Sequence, residues 1–147
     1  LGADSIVSVL DTLQQHKDMI RVPQPKEGIT YAEKILKNEA EIDWQLSAVE
    51  IDRRIRAFNP FPGASSHIQG LAMKCWSSRI PKVGSYIESG HPGEVLGFSE
   101  GGAYIQCGKG AIEVLEMQKP GGKKMSASLC LQCLDSDKQA LRFHTKE

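Results

Sequence analysis

The residues best suited to chemistry lie in the run Lys119-Pro120-Gly121-Gly122-Lys123-Lys124. It combines a flexible loop, whose backbone N–H groups are open to approach, with ammonium groups on both sides, the pairing that meets phosphate oxygens closely. In isolation such a run is more often a solvated loop, so its weight depends on company. Lys74 shares a strand face with Trp76, Lys109 sits in a turn, and Lys34 and Lys37 occupy neighbouring surface positions in a polar stretch. Gathered on one side, Lys34, Lys37, Lys74, Lys109, Lys123 and Lys124 would form a basic strip for an RNA backbone. Trp76 and Tyr104 would then be candidates to stack on bases, unless they pack against neighbouring elements.

Other reactive side chains offer less. The Cys130-Leu-Gln-Cys133 spacing fits half of a zinc site, but Cys75 and Cys107 stand apart in apolar alternations and read as small buried hydrophobes in a reducing compartment. No metal site and no redox pair is expected. His16, His67, His91 and His144 fall in a helix end, a strand, a loop and a tail. His67 has no acid nearby in sequence to orient it and His91 precedes a proline, so neither is assigned as a base and no catalytic residue is expected.

Composition sets bounds on partners. The 147 residues suffice for one compact domain with an appendage, and their 40% hydrophobic and 24% charged content is that of a soluble globular chain. No apolar run is long enough to span a membrane, and no signal peptide is visible, so a cytoplasmic location is expected. Eighteen basic and eighteen acidic side chains leave no net charge, so any attraction for nucleic acid must come from local clustering.

The elements that would position these groups read as follows. Residues 1–17 form an amphipathic helix with Ala3, Ile6, Val9, Leu10 and Leu13 on a broad apolar face that wants a partner. Residues 18–43 read as an extended linker broken by Pro23, Pro25 and Gly28, with a short helical turn over Tyr31 to Leu36. Ser47 and Glu50 form a capping box opening a helix that buries Ala48, Ile51, Ile55 and Phe58 and stops at Asn59-Pro60. After Gly63 the period changes to two, giving strands near 64–68, 71–79, 93–98, 102–107 and 111–118, with a hairpin turn at Gln69-Gly70. Residues 80–92 read as a loop, and Ser126 is placed to cap a helix carrying Cys130 and Cys133. The fold class is α+β, mainly β with flanking helices: a small antiparallel barrel over 44–147 preceded by the linker and the amino-terminal helix. Leu141 and Phe143 have no assigned place.

Several of these residues carry a resemblance. Glu41-Ile42-Asp43-Trp44, Ser47, Ile55-Arg56-Ala57-Phe58-Asn59-Pro60-Phe61-Pro62, Gln69-Gly70, Lys74, Trp76, Pro92-Gly93 and Gln118 to Ser126 are similar, in order and spacing, to the linker and carboxy-terminal domain of methionyl-tRNA formyltransferases, from Pro23 to about Leu129. The resemblance implies an oligonucleotide-binding-like (OB-like) barrel that docks initiator methionyl-tRNA beside a catalytic domain absent from this chain. In such a family the whole protein transfers a formyl group from 10-formyltetrahydrofolate to the amino group of the tRNA-bound methionine. The family's Asn-x-His and Ser-Leu-Leu-Pro segments do not map here, so this portion is expected to be inactive and to hold no cofactor, with neither DNA nor membrane as a partner. Residues 1–17 would be the last helix of the catalytic domain. The alternative is an interaction or scaffolding domain of a related formyltransferase-fold enzyme with a small substrate, its lysines merely solvated.

Overall fold

The computed structural model describes residues 2–15, 22–82, 84, 86, 90–134 and 141–144. The chain divides into two compact units, Leu1–Glu33 and Lys34–Glu147. The first contains helix α1 (Gly2–Gln14), with Asp4 in its first turn, and none of its residues is buried. Ile6, Leu10 and Leu13 are exposed, so the apolar face predicted from periodicity is present and uncovered within the unit. His16 and the boundary expected at residue 17 lie outside the described residues. Residues 22–33 carry no regular element.

The second unit opens differently from expectation. Residues 31–36 are exposed and carry no regular element, and the helical turn lies instead at Lys37–Ala40, a single turn of 3₁₀ helix. Glu39 decides the shift: its carboxylate accepts the Leu36 N–H at 2.6 Å and caps a turn that begins at residue 37. The chain then lies beside the sheet, Glu41 bridging Ser65 in parallel and the Ile42 N–H reaching the Ser65 carbonyl at 2.8 Å. Helix α2 (Ala48–Ala57) has the expected capping box, with the Glu50 carboxylate accepting the Ser47 N–H at 3.0 Å and the Ser47 hydroxyl accepting the Glu50 N–H. Ala48, Ile51 and Ile55 are buried along one stripe, with Phe58 packed at its end.

Among the described residues seven antiparallel strands follow: β1 (Ala64–Ile68), β2 (Leu71–Arg79), β3 (Val95–Phe98), β4 (Ala103–Gln106), β5 (Ala111–Gln118), β6 (Lys124–Ser126) and β7 (Phe143–His144). Their order is β3-β4-β5-β2-β1-β7, with β6 on β5 where β4 has ended. The α+β, barrel-like class is as predicted, and β1, β2 and β5 have the expected bounds. Gln69 and Gly70 both take positive φ, 49° and 76°, the two-residue turn whose twist matches a β1–β2 hairpin. β3 starts two residues late because Gly93 is left-handed (φ 88°) and turns its carbonyl out of line. Helix α3 (Ala127–Gln132) begins after Ser126 as expected, but the Ser126 hydroxyl makes no capping bond and lies 3.4 Å from the Ser128 hydroxyl instead.

The tail supplies what periodicity missed. Phe143 of β7 stands opposite Ile68 on β1, while its N–H donates to the Gly93 carbonyl at 2.8 Å and the Val95 N–H donates to the Leu141 carbonyl at 2.9 Å. Residues 141–143 thus tie the β1 edge to the β3 edge and curl the sheet around its core. Leu141 and Phe143 are buried, and the Phe143 ring lies 5.4 Å from that of Trp44 at a 32° tilt. Trp44 donates its indole N–H to the Ser66 hydroxyl at 2.8 Å, which in turn donates to the His144 carbonyl. The same core cluster includes Ile42, Ile51, Ile105 and Met117.

With its ring 2% exposed, Phe143→Ala should cost about 3–5 kcal/mol, the usual cost of emptying a core phenylalanine site. Gly93→Ala should also destabilise, because its φ disfavours a side chain and a Cβ there would collide with the Phe143 carbonyl. Urea unfolding followed by tryptophan emission measures both; unchanged midpoints would show that the tail is not part of the closure.

Candidate nucleic-acid interface

Strand register assembles the basic residues that are distant in sequence. Lys74 on β2 stands opposite Gln118 on β5, and Gln118 stands opposite Lys124 on β6, so these three lie in one row across the sheet. Trp76, two residues beyond Lys74, projects into the same region. Gln118 is the joint: its carbonyl oxygen accepts the Trp76 indole N–H at 2.9 Å, and its amide donates to the Gly122 carbonyl at 2.7 Å, which fixes the glycine loop. The Lys124 ammonium lies 3.8 Å and the Lys74 ammonium 5.3 Å from the Trp76 ring centroid, both within cation–π reach.

The turn after α2 forms one wall. Asn59 donates its side-chain amide to the Trp76 carbonyl at 2.9 Å, and Lys74 donates from Nζ to the Pro62 carbonyl at 3.0 Å. Gly63 is left-handed (φ 82°), and a Cβ there would stand 2.9 Å from the Trp76 ring, so glycine is what lets this turn close on the indole. Trp76 is therefore only 8% exposed although it points away from the core. The bulge in the β2–β5 pairing between Cys75 and Ser78 accompanies this break in the expected alternation.

The other predicted lysines are placed less closely. Lys123 is exposed next to Lys124, and Gly121 takes φ 68° where the loop turns back, the Gly122 N–H reaching the Lys119 carbonyl at 3.0 Å. Lys37 begins the 3₁₀ turn and Lys34 is exposed just before it; that segment joins the sheet at Ser65, the β1 partner of Lys74. Lys109 lies elsewhere. It sits at the β4–β5 turn, the opposite end of β5 from Gln118, and seven strand residues separate those ends by roughly 23 Å. Its carbonyl accepts the Ala48 N–H at 3.0 Å, supplying a partner for a donor that the start of α2 leaves open.

Two aromatic expectations change. Trp76 has its ring occupied by lysines and by the Gly63 turn, and Tyr104 stacks on Tyr86 with centroids 5.8 Å apart. His67 also differs from its reading: Glu41, far off in sequence, brings Oε1 to 3.4 Å from Nδ1, without the alignment of a hydrogen bond. Burial pushes the Cys75 and Cys107 thiols up to about 12, which keeps them neutral and suits their reading as apolar side chains. Cys130 is buried and Cys133 exposed. Among the described residues no group of three or more metal-ligating side chains is found.

Elsewhere charge is neutralised internally. Glu113, buried on β5, accepts from Arg79 Nε at 2.7 Å and Nη2 at 3.0 Å and from the Ser99 hydroxyl at 2.6 Å. The Arg79 guanidinium holds its carboxyl below the usual carboxylate range, against the upward push of burial. No helix among the described residues is long and apolar enough to cross a membrane.

Comparison with known proteins bears on the whole unit. The family described as Formyl transferase, C-terminal domain, matches residues 34–134. A methionyl-tRNA formyltransferase of Polynucleobacter necessarius subsp. necessarius (strain STIR1) is 62% identical over 147 residues, covering 100% of this chain and 44% of that protein. One of Polynucleobacter asymbioticus is 56% identical over 146 residues, covering 99% of this chain and 44% of its own length. The chain thus spans less than half the length of these curated relatives. Among solved structures, a variant of HypX from Aquifex aeolicus superposes with a TM-score of 0.68 at 19% identity, covering 98% of this chain and 24% of that one. HypX in complex with tetrahydrofolic acid superposes with a TM-score of 0.68 at 19% identity, covering 91% of this chain and 23% of that one. At such identities the likeness is one of fold.

Because the Glu113 carboxyl is depressed in the folded state, its contribution to stability is complete above the unfolded value of about 4.3 and is lost as pH falls through the lower folded value. Glu113→Gln should therefore lower stability at pH 7, yet flatten its decline across the acid range below the unfolded carboxyl value. Urea midpoints measured across that range test this; parallel declines would mean that the pair does not report on acid unfolding.

Proposed function

The chain belongs to the formyl transferase C-terminal domain family, and on that footing we propose that it is the tRNA-docking part of a methionyl-tRNA formyltransferase. The observation that carries this reading is the row Lys74-Gln118-Lys124 with its glycine loop, two ammonium groups held at one indole in a chain whose net charge is zero. A phosphate approaching Lys124 meets Lys123 as well, and the backbone N–H groups of the loop are close by. Lys34 and Lys37 extend the surface where their segment joins β1, and Lys109 makes an outlying contact. The whole protein transfers a formyl group from 10-formyltetrahydrofolate to the amino group of initiator methionyl-tRNA. Residues 1–17 close the preceding catalytic domain, which covers the apolar face of α1; residues 18–43 link it to the barrel domain at 44–147. This portion positions the tRNA and is inactive alone, binds neither DNA nor folate nor membrane, and works in the cytoplasm.

Net neutrality favours a second reading, in which the unit is an interaction domain of a related formyltransferase-fold enzyme acting on a small substrate. The two separate in a titration of the chain against initiator methionyl-tRNA, with an elongator tRNA as control, at several salt concentrations. Docking predicts that log affinity falls linearly with log salt, and that replacing Lys74 and Lys124 together by alanine lowers the slope by about 1–2, the loss expected for one or two phosphate contacts. Absence of binding even at low salt would overturn docking and favour the interaction domain.

A further inference from the structure

We propose that Phe61 is the aromatic platform on which an unpaired base of the bound RNA stacks, an inference that rests on the docking reading above. The two aromatics that sequence periodicity singles out are occupied, Trp76 by two lysines and Tyr104 by Tyr86. Phe61 is not: it is 66% exposed, and among the described residues no ring lies against it. Covering its ring with a partner would remove apolar area from water, a gain of up to about 2 kcal/mol.

The turn that carries it is held on both sides. Pro60 and Pro62 restrict the backbone around it, the Gly63 N–H donates to the Phe58 carbonyl at 2.9 Å, and Asn59 is anchored on the Trp76 carbonyl. A ring presented this way loses little freedom on stacking. Its setting selects the partner. The carbonyl of the next residue, Pro62, holds the Lys74 ammonium at 3.0 Å, and Lys74 opens onto a cleft of about 270 Å³ lined also by Gln118, Lys119 and Gly121. An exposed aromatic face one residue from a cationic cleft fits the alternation of base and phosphate along a single strand. An apolar protein segment would satisfy the ring but leave the ammonium groups without counter-charge. The occupant is therefore a nucleobase outside a duplex, whose phosphate enters the cleft at Lys74 and Lys119.

The test uses the 147-residue chain with two hairpin RNAs of identical stem, one blunt and one with a four-nucleotide single-stranded 3′ overhang. The unaltered chain should bind the overhang RNA at least about five-fold more tightly. Phe61→Ala and Phe61→Leu, the second keeping apolar bulk without a π face, should both abolish that preference while leaving blunt-hairpin affinity unchanged, and Phe61→Trp should preserve it. Equal affinity of the unaltered chain for both RNAs, or an overhang preference that survives Phe61→Ala, overturns the platform while leaving docking intact. Failure of both RNAs to bind at any salt overturns docking and the platform together.

Discussion

The structure depends on closing a sheet that would otherwise end in two open edges. Two backbone hydrogen bonds, from the Phe143 N–H to the Gly93 carbonyl and from the Val95 N–H to the Leu141 carbonyl, with the pairing of Phe143 and Ile68, span from the last strand of one edge to the first strand of the other. An open edge leaves a row of donors and acceptors to be met by solvent or by another chain. Here the tail meets them, and in doing so places the Phe143 ring on Trp44 and Leu141 in the core. The seam works only at a residue without a side chain, because Phe143 occupies the place where a Cβ of residue 93 would stand. Closure also fixes the entry of the chain: Trp44 is bonded to Ser66 on β1, while the Gly108 N–H donates to the carbonyls of Trp44 and Leu46, which sets α2 against the sheet.

On that scaffold, the proposed site rests on local charge. The Lys74 and Lys124 ammonium groups both lie within cation–π reach of one indole, and Lys74 is held further by the Pro62 carbonyl. Gln118 fixes the indole by accepting its N–H, and the same side chain fixes the glycine loop through its amide, so one residue couples the cation pair to the backbone donors beside it. The Arg79–Glu113 pair has the opposite character. Its charges satisfy each other, and it joins β2 to β5.

The turn from Asn59 to Gly63 links the two halves of this design. It ends α2, whose stripe of Ala48, Ile51 and Ile55 fills the core, and it wraps the outer face of β2 through bonds to Trp76 and Lys74. A turn that only terminated a helix would need no fit to an indole. This one has a glycine against the ring and a carbonyl for the lysine, which explains why its residues stand out in the sequence as a block and why Phe61 is displayed where it is.

Local chemistry was sufficient to read most elements. The capping box at Ser47 and Glu50, the proline stop, the switch to a two-residue period and the Gln69-Gly70 turn each act over a few neighbouring residues, so α2 and the strands β1 to β5 were legible, as were Cys75 and Cys107 as buried apolar groups and the family resemblance, which the match over residues 34–134 bears out. The 3₁₀ turn at Lys37, the short strand β6 and the tail strand β7 were not, because two to four residues carry no measurable period, and β6 and β7 are held by strands distant in sequence. The same limit governs the site. Lysines at 74 and 124 look unrelated along the chain, and Lys109 looks equivalent to them. Only the register of β2, β5 and β6 sets the first two at one tryptophan and sends the third to the far end of β5, since pairing across a sheet is decided by hydrogen bonds between strands and not by neighbours in sequence.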